Sequence, residues 1–243
     1  VMAIGRTFEE VLQKAIRMLD IGMKGFVGND LDSIDDINEL IYELRNPTDL
    51  RVFRLAEALK RGLSIDEIYR LSRIDRWFLY KLKHIIDIEN NLRQLNLLKS
   101  EDSDKEYWIK RAKRFGFSDG QIATIMGGVS SINVRRDLRK KFNIQPFVKR
   151  IDTLAAEWPA ITNYLYMTYA ASEHDIDFAK ETNRELTKVI VLGSGTYRIG
   201  ASVEFDWGSV NCLWGLKNQG VDQAIMINYN PETVSTDYDI SDK

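Results

Sequence analysis

Residues 187–242 read TKVIVLGSGTYRIGASVEFDWGSVNCLWGLKNQGVDQAIMINYNPETVSTDYDISD, and this stretch limits the architecture more than any other. Residues 189–192 form a short, apolar, β-branched run that ends at Gly193. A loop with Gly193, Gly195 and Gly200 follows, then a helical pattern over 210–216 and a second apolar run over 224–229. Strand, loop, helix and strand in that order predict two parallel strands joined by a crossover helix. Ligands of such sheets gather beyond the carboxyl ends of the strands. The polar residues cluster there: Arg198, Glu204 and Asp206 after the first strand, and Asn230, Glu232 and Thr233 after the second. Gly193-Ser194-Gly195 has the look of a dinucleotide-binding turn, but the spacing argues against it. The third glycine comes two residues late, Arg198 and Glu204 interrupt the turn, and no acidic residue closes the second strand.

The rest of the chain reads as helical. Thr7 and Glu10 have capping-box spacing ahead of a helix to about residue 20, with Phe8, Val11, Leu12, Ala15, Ile16 and Leu19 on one face. Gly22 and Gly25 end it. The acidic run 30–36 reads as charge at a helix N-terminus, because it lacks the spaced ligands and glycine of a calcium loop. Helices follow over 37–44 and 50–59. A repeat comes next: Gly62-Leu63-Ser64 leads into helices over 65–71 and 75–91, and Gly116-Phe117-Ser118 leads into helices over 121–126 and 132–142. Ser64 and Ser118 are natural N-caps, and Glu67 matches Gln121. Residues 100–105 read as a loop. Residues 143–158 read as an extended strap because of Pro146 and Pro159. A helix is expected over 160–171, with Tyr164 filling a groove beside it, and 173–185 as a charged linker.

Composition narrows the function. Net charge is −2, which argues against a general attraction to nucleic acid or membrane surfaces. No apolar run approaches the ~18 residues of a bilayer span, and the first residues lack a secretory leader pattern. The single cysteine, Cys212, excludes an internal disulfide and fits a reducing compartment. Residues 1–4 read as a strand, and two parallel strands alone leave edges and faces uncovered, so the chain is expected to be a piece of a longer one. The second repeat resembles a DNA-reading helix-turn-helix, with Arg135, Arg136, Arg139, Lys140 and Lys141 on its second helix. In a slightly acidic chain a solvated basic face is the better reading. His84 is expected at the surface and His174 in a polar loop; two separated histidines make no zinc site. Trp77, Phe78 and Leu82 form an apolar ridge that serves either core or subunit contact.

GSGTYRIGASVEFDW (193–207) and NYNPETVSTDYD (228–239) resemble the carbamoyl-phosphate synthetase large chain at the start of its second synthetase half. The resemblance extends through 151–169 (IDTLAAEWPAITNYLYMTY), 74–79 (IDRWFL) and 1–8 (VMAIGRTF), so it covers essentially the whole chain. TNYLY and the His174-Asp175 pair look like the eukaryotic branch. The resemblance implies a mainly α-helical domain followed by the first βαβ of a Rossmann-like, pre-ATP-grasp α/β domain. Residues 1–27 would close the first ATP-grasp domain, 28–172 form the oligomerisation domain with its strap, 173–186 link, and 187–243 open the second half. It further implies an ATP-dependent ligase making carbamoyl phosphate from bicarbonate, ammonia and two ATP, in arginine, pyrimidine or urea synthesis. ATP and magnesium or manganese would bind outside this segment, which would carry no catalytic residue. The implied partners are a glutamine amidotransferase subunit or domain and further copies of the chain, with no nucleic acid and no membrane, in the cytoplasm or the mitochondrion. Glu204 and Glu232 would line the internal passage for carbamate, with Arg198 placed to pair with Glu204. At least one of the two glutamates should then have a neutralising partner or a raised pKa. The rival reading is a stand-alone helical assembly module.

Overall fold

The computed structural model describes residues 2–98, 100–127, 129–152, 154–159, 164–177, 185–197 and 202–243. They divide into a helical unit (Thr7–Arg17 and Gly22–Gln145) and a second unit (Val1–Arg6, Met18–Ile21 and Pro146–Lys243). The helical unit contains α1 (Phe8–Met18), α2 (Ile37–Arg45), α3 (Arg51–Lys60), α4 (Ile65–Ser72), α5 (Arg76–Leu98), α6 (Asp102–Arg114) and α7 (Asp119–Met126). A single turn, α8 (Ser131–Asn133), then runs into a π-helical turn (Val134–Arg139).

The long α5 is the axis of this unit, touching α3, α4, α6 and α7. Its Leu79, Leu82, Ile85, Ile86, Ile88, Leu92 and Leu95 recur at three- and four-residue spacing and are all buried. Each such side chain contributes about 1.5–3 kcal/mol by leaving water. Leu40, Leu44, Ile68 and Ile122 complete the enclosed core from α2, α4 and α7. Of the apolar ridge, Leu82 belongs to this core, whereas Trp77 and Phe78 stay half exposed and meet the ring of Phe8.

Both repeats open on a capping box. Ser64 accepts from the Glu67 amide (3.2 Å) and donates its own amide to the Glu67 carboxylate (2.8 Å). Ser118 and Gln121 do the same (3.0 and 3.3 Å). The two boxes differ in burial: Glu67 is exposed, while Gln121 is fully enclosed. Its Nε2 donates to Gln13 Oε1 (2.7 Å) and to the Val27 carbonyl (2.8 Å). Gln13 in turn donates to the Phe115 carbonyl (2.7 Å), so α1 is tied to residues far along the chain.

Several local expectations are corrected. Among its expected apolar face, Phe8 and Leu12 are only partly buried and Leu19 is exposed. The most deeply buried side of α1 includes Glu9, Glu10 and Gln13. Residues 2–4 form no strand; an apolar, β-branched run sets a propensity, and the ladder partner decides. Residues 102–105 are the first turn of α6, where Asp102 and Asp104 suit the helix N-terminus, rather than loop. The helix expected over 132–142 is broken into α8 and the π turn.

In the second unit, β1 (Phe147–Arg150) pairs antiparallel with β2 (Leu165–Thr168), Phe147 opposite Thr168. β2 occupies part of the helix expected over 160–171; residues 160–163 lie outside the described ones. Leu165, Tyr166 and Thr168 find a ladder on β1, and that tertiary pairing overrides a weak helical pattern. β3 (Lys188–Leu192) pairs parallel with β4 (Gln223–Ile227), and α9 (Val203–Asn218) lies between them in sequence. Ala224 and Met226 of β4 bury against Leu213 of α9, while Ile190, Leu192 and Ile227 remain exposed. The architecture is thus a helical domain followed by small sheets, one of them parallel.

Candidate functional site

The two glycines after β3 are explained by what presses on them. A Cβ on Gly193 would lie 2.3 Å from Asn228 Nδ2, and one on Gly195 would lie 2.3 Å from the Tyr229 ring. Gly195 also sits at φ +82°, in the left-handed region. Their missing side chains make room for the residues after β4, and the dinucleotide reading gains nothing from them. Gly200 lies outside the described residues.

Beyond β4 the chain 230–237 is held at several points. Asn230 is buried; its Nδ2 donates to the Gly195 carbonyl (3.3 Å) and its Oδ1 accepts from the Glu232 amide (3.1 Å). It therefore joins the loop after β3 to the loop after β4. Thr233 Oγ1 donates to the Asn230 carbonyl (3.1 Å). Asp206, in the first turn of α9, is also buried. Its Oδ2 accepts from the Ser235 amide (3.1 Å) and from the Tyr197 hydroxyl (3.3 Å), and its Oδ1 accepts from the Ser235 hydroxyl. A buried carboxylate requires such donors, and bonds to a charged acceptor are the stronger kind. Burial first, and the neighbouring Asp206 next, push the Tyr197 phenol up to about 12. Asp206 stood among the polar residues of the sequence, but its anchoring role was not read there. The signal available was an acid in the first turn of the helix that follows the polar loop after β3.

Glu204 and Glu232 behave differently. Both are exposed, on segments that follow the carboxyl ends of β3 and β4, and no hydrogen bond or ion pair joins them. Glu204 accepts from the Ser202 hydroxyl, which holds its carboxyl below the usual carboxylate range. A raised pKa is therefore not found at Glu204: the side chain is solvated and hydrogen-bonded in its charged form. The Glu232 carboxylate is among the charges that disfavour ionisation of Tyr197. Arg198, expected to pair with Glu204, lies outside the described residues.

In the helical unit, the basic face of the second repeat is largely paired. Arg139 binds Asp119 (2.6 Å), Arg136 binds Asp137 (2.7 Å) and Lys141 meets Asp102. Lys113, buried, shares Asp119 with Arg139 (2.9 Å) and donates to the Phe117 carbonyl (2.8 Å). Burial pushes the Lys113 ammonium down to about 8 against the pull of Asp119. His84 is not the surface residue expected. Its Nδ1 lies 2.9 Å from the buried Glu9 carboxylate, and Arg111 Nη2 lies 2.9 Å from its Nε2. A guanidinium only donates, so Nε2 accepts and the proton sits on Nδ1. His174 Nδ1 accepts from the Val148 amide (3.0 Å). Among the described residues no three His, Cys, Asp or Glu side chains gather as a metal site, and no helix is long and apolar enough to cross a membrane.

Comparison with known proteins gives this geometry a context. The family model described as "Carbamoyl-phosphate synthetase large chain, oligomerisation domain" matches residues 1–143, and that described as "Carbamoyl phosphate synthase preATP-grasp domain" matches residues 185–243. The chain is 50% identical to the mitochondrial arginine-specific carbamoyl phosphate synthase large chain of Neurospora crassa, across 100% of this chain and 19% of that protein. It is 48% identical to the multifunctional protein CAD of Squalus acanthias (100% and 10%) and 46% identical to the mitochondrial carbamoyl-phosphate synthase [ammonia] of Mus musculus (100% and 16%). It thus spans a fifth or less of these relatives. With one family model covering more than half of it and full-length similarity to synthase large chains, the chain belongs to the carbamoyl-phosphate synthetase large-chain family.

Proposed function

We propose that the chain is the segment of a carbamoyl-phosphate synthetase that links and aligns the two synthetase halves. Its helical unit mediates association of copies. Its β3-α9-β4 portion is the Rossmann-like start of the second, carbamoyl-phosphate half, after a linker over 173–186. The whole enzyme joins bicarbonate, ammonia and ATP, receives ammonia free or from a glutamine amidotransferase subunit or domain, and works in the cytoplasm or the mitochondrion in arginine or pyrimidine synthesis. ATP and its magnesium or manganese bind elsewhere.

Within that enzyme, Glu204, Glu232 and Arg198 line the passage for carbamate. The supporting observation is the pinned loop: Asn230, Thr233 and Ser235 are buried and bonded, while Glu232 between them is left facing solvent. Carbamate decomposes in water, so a protected route between the two halves has chemical value. Carboxylates in its wall would orient water and proton donors by hydrogen bonding. The test is Glu204→Ala and Glu232→Ala in the full-length enzyme, with melting temperature followed alongside. Carbamoyl-phosphate formation should fall while bicarbonate-dependent ATP hydrolysis persists. Loss of both with unfolding, or of neither, removes the passage role.

A further inference from the structure

The loop 230–241 is anchored from two directions. Asp206 and Asn230 hold it to the β3-α9-β4 portion, through Ser235 and the Gly195 carbonyl. The third anchor comes from the β1–β2 hairpin. The Tyr164 hydroxyl, one residue before β2, donates to Asp237 Oδ1. Asp237 closes the 3-10 turn Val234–Thr236, donating its amide to the Val234 carbonyl (3.0 Å). Its own carbonyl accepts from the amides of Ile240 (3.0 Å) and Ser241 (3.1 Å). A displacement of Asp237 therefore moves the turn and the chain on both sides of it, including Glu232.

Tyr164 is itself fixed. Its carbonyl accepts from the Ile151 amide (2.8 Å), just past the end of β1. β1 is clamped along its length by the His174-Asp175 pair. Val148 donates to His174 Nδ1, Arg150 donates to Asp175 Oδ2 (2.8 Å), Lys149 pairs with Asp175, and the Asp175 amide returns a bond to the Val148 carbonyl (2.9 Å). At Tyr164 it is the hydroxyl that makes the link to the loop. An unbroken series of polar contacts runs from His174 and Asp175 through β1 to Tyr164, and from there into the loop.

We propose that Tyr164 is a positioning residue, setting the loop that carries Glu232 by tying it through Asp237 to the β1–β2 hairpin. The inference rests on the passage role of Glu232. Tyr164→Phe keeps the ring and removes only the donor. In the full-length synthetase it should raise the ATP hydrolysed per carbamoyl phosphate formed severalfold, with the KM for ATP unchanged. Amide exchange over 232–241 should accelerate about tenfold, the effect of losing one bond to a charged acceptor. Asp237→Ala should uncouple similarly, and the double variant should be no worse than the more affected single one, as for two ends of one contact. Glu232→Ala is measured beside them. If it uncouples and Tyr164→Phe does not, the positioning role is wrong while the passage role stands. If Tyr164→Phe uncouples and Glu232→Ala does not, Tyr164 acts by another route and the inference fails. Silence of both removes both ideas, and additive effects of Tyr164→Phe and Asp237→Ala remove the contact as the cause.

Discussion

Replacing Asp206 by alanine tests whether a single buried carboxylate holds the loop after β4. The substitution removes acceptors for the Ser235 amide, the Ser235 hydroxyl and the Tyr197 hydroxyl. A hydrogen bond to a charged group contributes about 1.5–3 kcal/mol, and a buried amide left without a partner costs about 1–3 kcal/mol. These overlap, so local destabilisation of about 3–4 kcal/mol is the working figure. With about 1.4 kcal/mol per factor of ten, that is at least a hundredfold faster opening of the loop. Hydrogen exchange resolved to the peptide 230–238 in the full-length protein reads this opening directly, because local unfolding exchanges independently of the global transition. Asp206→Asn keeps one acceptor oxygen and should show about a tenfold effect. If Ser235 exchange is unchanged in Asp206→Ala while α9 keeps its own protection, the carboxylate is not the anchor and the reasoning fails.

The remaining outcomes concern stability. Asp119→Ala leaves the buried Lys113 ammonium without its carboxylate and should destabilise the helical unit by about 3–5 kcal/mol in denaturant unfolding. Lys113 has its folded pKa lowered from 10.5 to about 8, so the unfolded chain binds more protons between those values. Stability should rise across that window, and Lys113→Met should abolish the rise. Gln121→Glu buries a carboxylate against Gln13 and the Val27 carbonyl and should lower the melting temperature at pH 7, with partial recovery near pH 5. Glu67→Gln, at the exposed box, should change stability by less than about 0.5 kcal/mol. Gly116→Ala places a Cβ 2.7 Å from the Glu10 Cα at φ +86°, so it should cost about 2 kcal/mol or more by thermal melting.

What could be read from the sequence follows the range of the forces involved. The N-caps Ser64 and Ser118 and the first helix of each repeat are local chemistry, and they sit where the sequence indicated, although the second helix of the second repeat is broken. The parallel pairing of β3 and β4 was also legible, because two apolar runs flanking a helical pattern leave few alternatives. β2 was not, since its strand character comes from β1, which the chain meets some twenty residues earlier. His84 was misplaced for a similar reason. Lys81, Lys83 and Asp87 beside it suggest a wet surface, yet Glu9 and Arg111 converge on it from α1 and α6. At the candidate site the exposed Glu204 and Glu232 were visible as motif residues. The carboxylate that holds the loop, Asp206, was identified only by its burial and its three donors.

The polar underside of α1 bears on how the chain is made. Gln13 is bonded to Phe115 and Gln121, 102 and 108 residues later. At about 5–20 residues per second of synthesis, the first helix waits on the order of 5–20 s for the partners of its buried face. An apolar face held open that long on a nascent chain would invite aggregation or chaperone capture. Glu9, Glu10 and Gln13 are well hydrated during the delay: Glu10 pairs with Lys14 within α1, whereas Glu9 meets Lys81 and His84 only when α5 has emerged and Gln13 meets Phe115 and Gln121 only later still. On this side the unfinished helix therefore exposes less apolar surface than a wholly apolar buried face would, although Ile16 and Met18 are also buried in the native fold.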